Sequence, residues 1–297
     1  MIDFRYHALS LAAVLFALVL GVLLGVAIGD TNLVSSAKNG VVHELRAEVG
    51  EARKQLDATS EKLGDEEAFA KGLYPLAVHE LLSGRNVGLV FLGGSSDQVN
   101  SLVRAAVTQA SGQLATVVAL REPLELAGVE RQTVGTAYAG LSSSSKLLER
   151  FGALIGRQLV SGGSAVDREL ISRVRGSLMS AFDGQLTRLE GVVVMRAEPA
   201  GMQAPQSEQS AALESGLLAG FQAAGVPSVG VELTTTEPSQ VSWYQGRGIS
   251  SVDDLDAPAG QAALIYALSG SHGTFGAKSS ADSLLPPVTP ASTTAGP

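Results

Sequence analysis

Few side chains in this sequence could do chemistry, and they are scattered. The four histidines are His7, His43, His79 and His272, and the methionines after Met1 are Met179, Met195 and Met202. There is no cysteine, hence no disulfide framework, no thiolate centre and no cysteine nucleophile. Copper wants Met, His or Cys ligands, yet no HxxH, MxxM or CxxC spacing occurs. The residue inventory therefore argues against a preformed metal site. One acidic group stands out. Asp253, Asp254 and Asp256 lie just before an expected helix start at Pro258. Negative charge there complements the helix dipole, and one of the three could cap the helix. The sharper reading is an acidic cation site, with Asp253, Asp254 and His272 as candidate ligands. The segment His272-Gly273-Thr274-Phe275-Gly276 is then a functional turn, or else simply the end of the domain. No serine has an evident His and Asp partner, so a hydrolase triad has no support. No catalytic residue is expected, and no stably bound cofactor.

A strand followed by Gly93-Gly94 invites a nucleotide reading. Neither GxGxxG nor GxxxxGK[ST] is present, however, and those are the patterns that cradle phosphates. The glycines are better read as easing a tight strand-to-helix turn. The formal net charge of −8 argues against a nucleic-acid partner, which needs a basic face. It also leaves no polybasic patch for anionic lipid.

The element that governs the rest is Ala8 to Gly29, twenty-two residues without a charge. That is close to the ~20 residues a helix needs to cross a ~30 Å hydrocarbon core. Ala27-Ile28-Gly29 would serve as a cleavage site, but the run exceeds the ~7–15 apolar residues of a signal peptide. Small residues recur every fourth position, at Ala13, Ala17, Gly21, Gly25 and Gly29, and such a stripe lets two membrane helices approach closely. An uncleaved single-pass anchor over residues 1–30 is expected. Arg5 and His7 precede it against one acid, Asp3, which favours a cytoplasmic N-terminus and a body outside the cytoplasm.

Residues 31–74 change character. With Val42 as position a, the a positions are Val42, Val49, Leu56, Leu63 and Ala70, and the d positions are Leu45, Ala52, Thr59, Glu66 and Leu73. This 3-4 spacing is the coiled-coil pattern. A homodimer or higher oligomer is the simplest partner, with a heteromeric one as the alternative. A lone amphipathic helix packed on the body is the other reading. Tyr74-Pro75 is expected to break or kink the helix, with a short helix over Leu76 to Leu82.

Residues 75–277 read as an α/β domain. Apolar runs at Asn86–Leu92, Gln113–Leu120, Gly191–Arg196 and Pro227–Leu233 look like strands buried on both faces of a parallel sheet. Helices are expected at about Asp97–Ser111, Leu141–Leu159, Val166–Phe182, Ala211–Ala224 and Pro258–Leu268. Glu198–Gln209 and Thr234–Arg247 read as loops. Residues 278–297, rich in Ser, Thr, Ala and Pro, should form a disordered tail.

Both ends of the chain resemble one family. MIDFRYHALSLAAVLFALVLGVLLG resembles the start of the actinobacterial MctB-like copper transporter proteins. SSVDDLDAPAGQAALIYALSGSHGTFG is similar to their C-terminal signature, through Ser251, Val252, Asp253, Pro258, Ala259, Gly260, Gly270, His272, Gly273, Phe275 and Gly276. The last turn departs from the family pattern at Phe275 and in its spacing. The resemblance implies a role in copper homeostasis, by export or by passage through an outer-membrane pore, with a copper ion as transported species. Relatives have also been connected with cell separation, which implies as an alternative a coiled-coil scaffold that recruits an envelope protein partner such as a peptidoglycan hydrolase. A β-barrel needs many ~10-residue alternating strands, which this chain does not offer.

Overall fold

The computed structural model describes residues 4–28, 31–162, 165–197 and 201–287. The chain divides into two compact units, Met1–Glu66 and Glu67–Pro297. The first holds α1 (Phe4–Ile28) and most of α2 (Thr31–Val78). Over Tyr6–Ala27, α1 is long and apolar enough to cross a membrane, with a mean hydropathy of 2.8 and no side chain buried. Ala13, Ala17, Gly21 and Gly25 lie within it. Gly29 falls outside the described residues. Of the expected break or kink at Tyr74-Pro75, the break does not occur: α2 continues through Pro75 to Val78. The turn after it replaces the short helix expected over Leu76–Leu82.

The second unit is built on a seven-stranded sheet. Its strands are β1 (Asn86–Gly93), β2 (Gln113–Leu120), β3 (Met179–Gly184), β4 (Gly191–Ala197), β5 (Ser228–Val231), β6 (Ser250–Val252) and β7 (Thr274–Phe275), in the order β3-β2-β1-β4-β5-β6-β7. Every pair is parallel except β2–β3. The helices are α3 (Asp97–Gln109), α4 (Leu126–Thr133), α5 (Ser145–Ser161), α6 (Ala165–Leu178), α7 (Ala204–Ala223), α8 (Val241–Gln245) and α9 (Pro258–Leu268). Along β1 the side chains alternate between two cores. Val90 and Leu92 join one with α5 and α7, while Val87, Leu89 and Phe91 join the other with α3 and α9. Strands covered on both faces must be apolar throughout, which is why these strands read as unbroken hydrophobic runs.

Four expectations need correction. Met179–Phe182 is not the end of a helix but most of β3, an antiparallel edge strand; Met179 is buried while Ser180 and Ala181 face out. Helix α7 starts at Ala204 inside the expected loop, favoured by Pro205 in its first turn and by Gln203, whose amide donates to the Gln206 side chain. The short helix α8 interrupts the second expected loop. The tail does not begin at Lys278. Ser283 bridges to Phe275, and the Asp282 amide donates to the Thr274 carbonyl at 2.9 Å. Residues 288–297 lie outside the described residues.

Helices α5 and α7 meet through glycines spaced by four on each. A Cβ on Gly152 or Gly156 would lie 2.4 Å from the Leu213 carbonyl or 2.2 Å from the Leu217 carbonyl. On Gly216 or Gly220 it would lie 2.0 Å from the Glu149 carbonyl or 2.4 Å from the Ala153 carbonyl. The two backbones touch, so even a methyl forces them apart, and overpacking of this kind costs about 1–3 kcal/mol. Gly176 of α6 has open space instead. Gly156→Ala should therefore lower the thermal midpoint of the purified chain by several degrees, while Gly176→Ala should leave it unchanged or raise it. Differential scanning calorimetry reads both.

Candidate functional site

In a doubly wound sheet, ligands bind at the carboxyl ends of the strands, where successive connections diverge to opposite sides. Here that point lies between β1 and β4. Strand β1 ends at Gly93 (φ 109°), and Ser96 caps α3 by accepting from the Val99 amide at 3.3 Å. A Cβ on Gly93 would meet the Ala197 carbonyl at 2.1 Å and Glu122 Oε2 at 2.9 Å. What space remains beside Gly93, Glu122 and Glu214 is about 10 Å³, no more than one water needs. That gap, lined by the ends of β1 and β2 and by α7, is too small for a nucleotide.

Beside that gap lies an ion pair. Glu214 and Arg196 are both almost wholly buried, and Arg196 Nε donates to Glu214 Oε2 at 3.1 Å. Arg196 Nη1 donates to Gln240 Oε1 at 2.7 Å. The Arg196 guanidinium also lies 4.8 Å from the Trp243 ring, and that of Arg247 covers the same ring at 3.7 Å. Tyr244 is fully buried. Its hydroxyl accepts from the Arg196 amide at 2.9 Å and donates to the Val231 carbonyl at 3.3 Å, and its ring fills the space a side chain at Gly230 would need. Burial pushes the Glu214 carboxyl up to about 7 against the pull of Arg196, and the neighbouring Glu122 charge adds to the rise.

Next along the same edge, buried Glu232 accepts from Lys278 Nζ at 2.6 Å and from Ser239 Oγ at 2.8 Å. Lys278 Nζ also donates to the Thr236 carbonyl at 2.8 Å. Asp253 is fully buried, and its Oδ1 accepts from the Ala277 and Lys278 amides at 2.8 and 3.2 Å. Together these bonds clamp the segment after β7 against the ends of β5 and β6. Asp254 is buried against Gly260, whose absent side chain makes room for it. Burial pushes its carboxyl up to about 6, helped by the charges of Asp253 and Asp256. Burial also acts to raise Asp256, but bonds from the Thr234 amide and hydroxyl, each 2.8 Å, outweigh it and hold that carboxyl below its ordinary value.

The sequence candidates thus separate. Asp253 and Asp254 sit inside the fold at the end of β6, whereas His272 is exposed on the turn before β7. His7, His43 and His79 are exposed on the helices or just past α2, and Met179 is in the core. Among the described residues, no three His, Asp or Glu side chains converge as a metal-ligating group. Glu214, Glu232 and Lys278 were not singled out from the sequence. The available signal was weak: a single acid closing an apolar strand, and a lone lysine in a segment that reads as tail.

Residues 1–286 match the family described as "Copper transport outer membrane protein, MctB". The chain belongs to the MctB family. Among curated proteins it is similar to "Copper transporter MctB" of Mycobacterium tuberculosis (strain ATCC 25618 / H37Rv) and of Mycobacterium bovis, each 28% identical over 291 residues. The similarity spans 90% of this chain and 92% of the relative. The MctB family is a copper-transport family rather than an enzyme family.

An acid whose pKa is higher in the folded than in the unfolded chain favours folding while protonated. For Glu214 that contribution is complete below its ordinary 4.5 and is lost as pH rises through about 7. The thermal midpoint of the body should therefore fall between pH 5 and pH 8, and Glu214→Gln should make that fall smaller. Melting curves across this range check it; an equal fall in the variant contradicts the assignment.

Proposed function

We propose that this chain is a single-pass envelope protein that lowers cellular copper, with α1 as an uncleaved anchor, the N-terminus in the cytoplasm and the body outside. The observation that carries the reading is the end-to-end family match, which includes both the span and the C-terminal signature. The fully exposed apolar surface of α1 supports the anchor, and the charge before it supports the orientation. Copper is cargo in this reading, not a resident cofactor. The soft donors are spread over the chain, so copper is handed on rather than stored. Of the three residues singled out for cation chemistry only His272 is open to solvent, so any contact of that region with copper runs through its imidazole. One helix cannot enclose a path, so transport requires several copies or a partner protein.

The test is cell-associated copper in a strain lacking the gene, grown under copper load, with the intact gene restored as control. Copper should rise on deletion and return to the parental level on restoration. Unchanged copper in the deletion strain overturns the reading.

A further inference from the structure

We propose that α2 pairs with the α2 of a second copy of this chain, parallel and in register, over residues 42–67. The inference rests on α2 and, for its direction, on the proposed anchoring of α1, and not on copper handling. Three observations carry it.

The first is an apolar stripe that the chain itself leaves uncovered. Leu45, Val49, Leu56 and Leu63 are 53%, 50%, 66% and 60% exposed, all at positions a or d. Val42, Leu45, Arg46, Val49, Gly50 and Arg53 outline an open hollow on this face, of the kind that receives a partner's knob. The β-branched Val42 and Val49 at a, with Leu45 at d, favour two strands over three or four.

The second is charge. In a parallel pair, each g residue faces the e residue five positions on in the partner helix. In this register Glu48 at g faces Arg53 at e of the second copy, and Lys62 at g faces Glu67 at e. Both pairs are opposite in sign, and each occurs twice in a symmetric dimer. Within its own chain Glu67 already bonds Lys71 at 2.6 Å on the exposed surface, which leaves a carboxylate oxygen for Lys62.

The third is direction. Helix α2 begins at Thr31, just after α1 ends at Ile28. Two copies spanning one membrane in the same sense send their α2 helices out side by side, which excludes an antiparallel pair.

The native chain has no cysteine, so an introduced one reports only on its own position. Val49→Cys, Leu56→Cys and, as a control on the outer f position, Lys54→Cys are made singly in the full chain, and membranes are treated with diamide. A disulfide needs Cα atoms within about 4.4–6.8 Å. Covalent dimers should form at both a positions and not at Lys54→Cys. An antiparallel pair brings a residue opposite its own copy at only one level, so crosslinking at one a position alone, or at none, overturns the proposal. Equal crosslinking at the f position overturns it too. In the Val49→Cys background, Glu48→Lys should reduce crosslinking, and Glu48→Lys with Arg53→Glu should restore it. Crosslinking indifferent to both overturns the register.

Discussion

The constraint on which everything else depends is the apolar surface of α1. Over Tyr6–Ala27 its side chains are uncovered within the chain. Burying one large apolar side chain is worth about 1.5–3 kcal/mol. Summed over such a helix, the cost of leaving it in water exceeds the ~5–15 kcal/mol that keeps a domain folded. Lipid is the environment that removes this cost for a single continuous helix, because the helix satisfies its own backbone hydrogen bonds. With α1 as the proposed anchor, α2 would start near the membrane surface, and its exposed stripe would be presented to the second copy proposed above.

The body follows a different logic. It keeps the mostly parallel sheet and the divergent connections of a doubly wound α/β fold, and among the described residues only a small gap is left beside Gly93, Glu122 and Glu214. Charges placed in a core must be matched internally, since each buried ion costs several kcal/mol unless paired. The matches are Arg196 with Glu214, and Lys278 with Glu232. They tie α7, the loop before α8 and the segment after β7 to one sheet edge.

Much of the fold was legible because burial on both faces leaves a plain signal. β1, β2 and β4 appear in the sequence as apolar runs, and α9 as a Pro-started helix over Pro258–Leu268. Edge strands carry no such signal: β3 is half exposed, so Met179–Phe182 could pass for a helix end. The acid–base partners were not legible at all, because Glu232 and Lys278 are 46 residues apart and only the folded sheet brings them together. Asp253 was visible as an acid before a helix. Its use, clamping the Ala277 and Lys278 amides, depends on β7 lying beside β6. The α5–α7 contact is written as glycines four apart on both helices, the same spacing that α1 carries at Gly21 and Gly25.

The most direct test of the anchored-body account replaces residues 1–30 with a cleavable secretory signal, so that the same stalk and body are exported but released. Cell-associated copper under load is then compared between a gene-deleted strain carrying the released form and one carrying the native chain. The account predicts that the native chain restores low copper and the released form, at equal abundance, does not. Full restoration by the released form would contradict it, because the body would then act without the membrane helix.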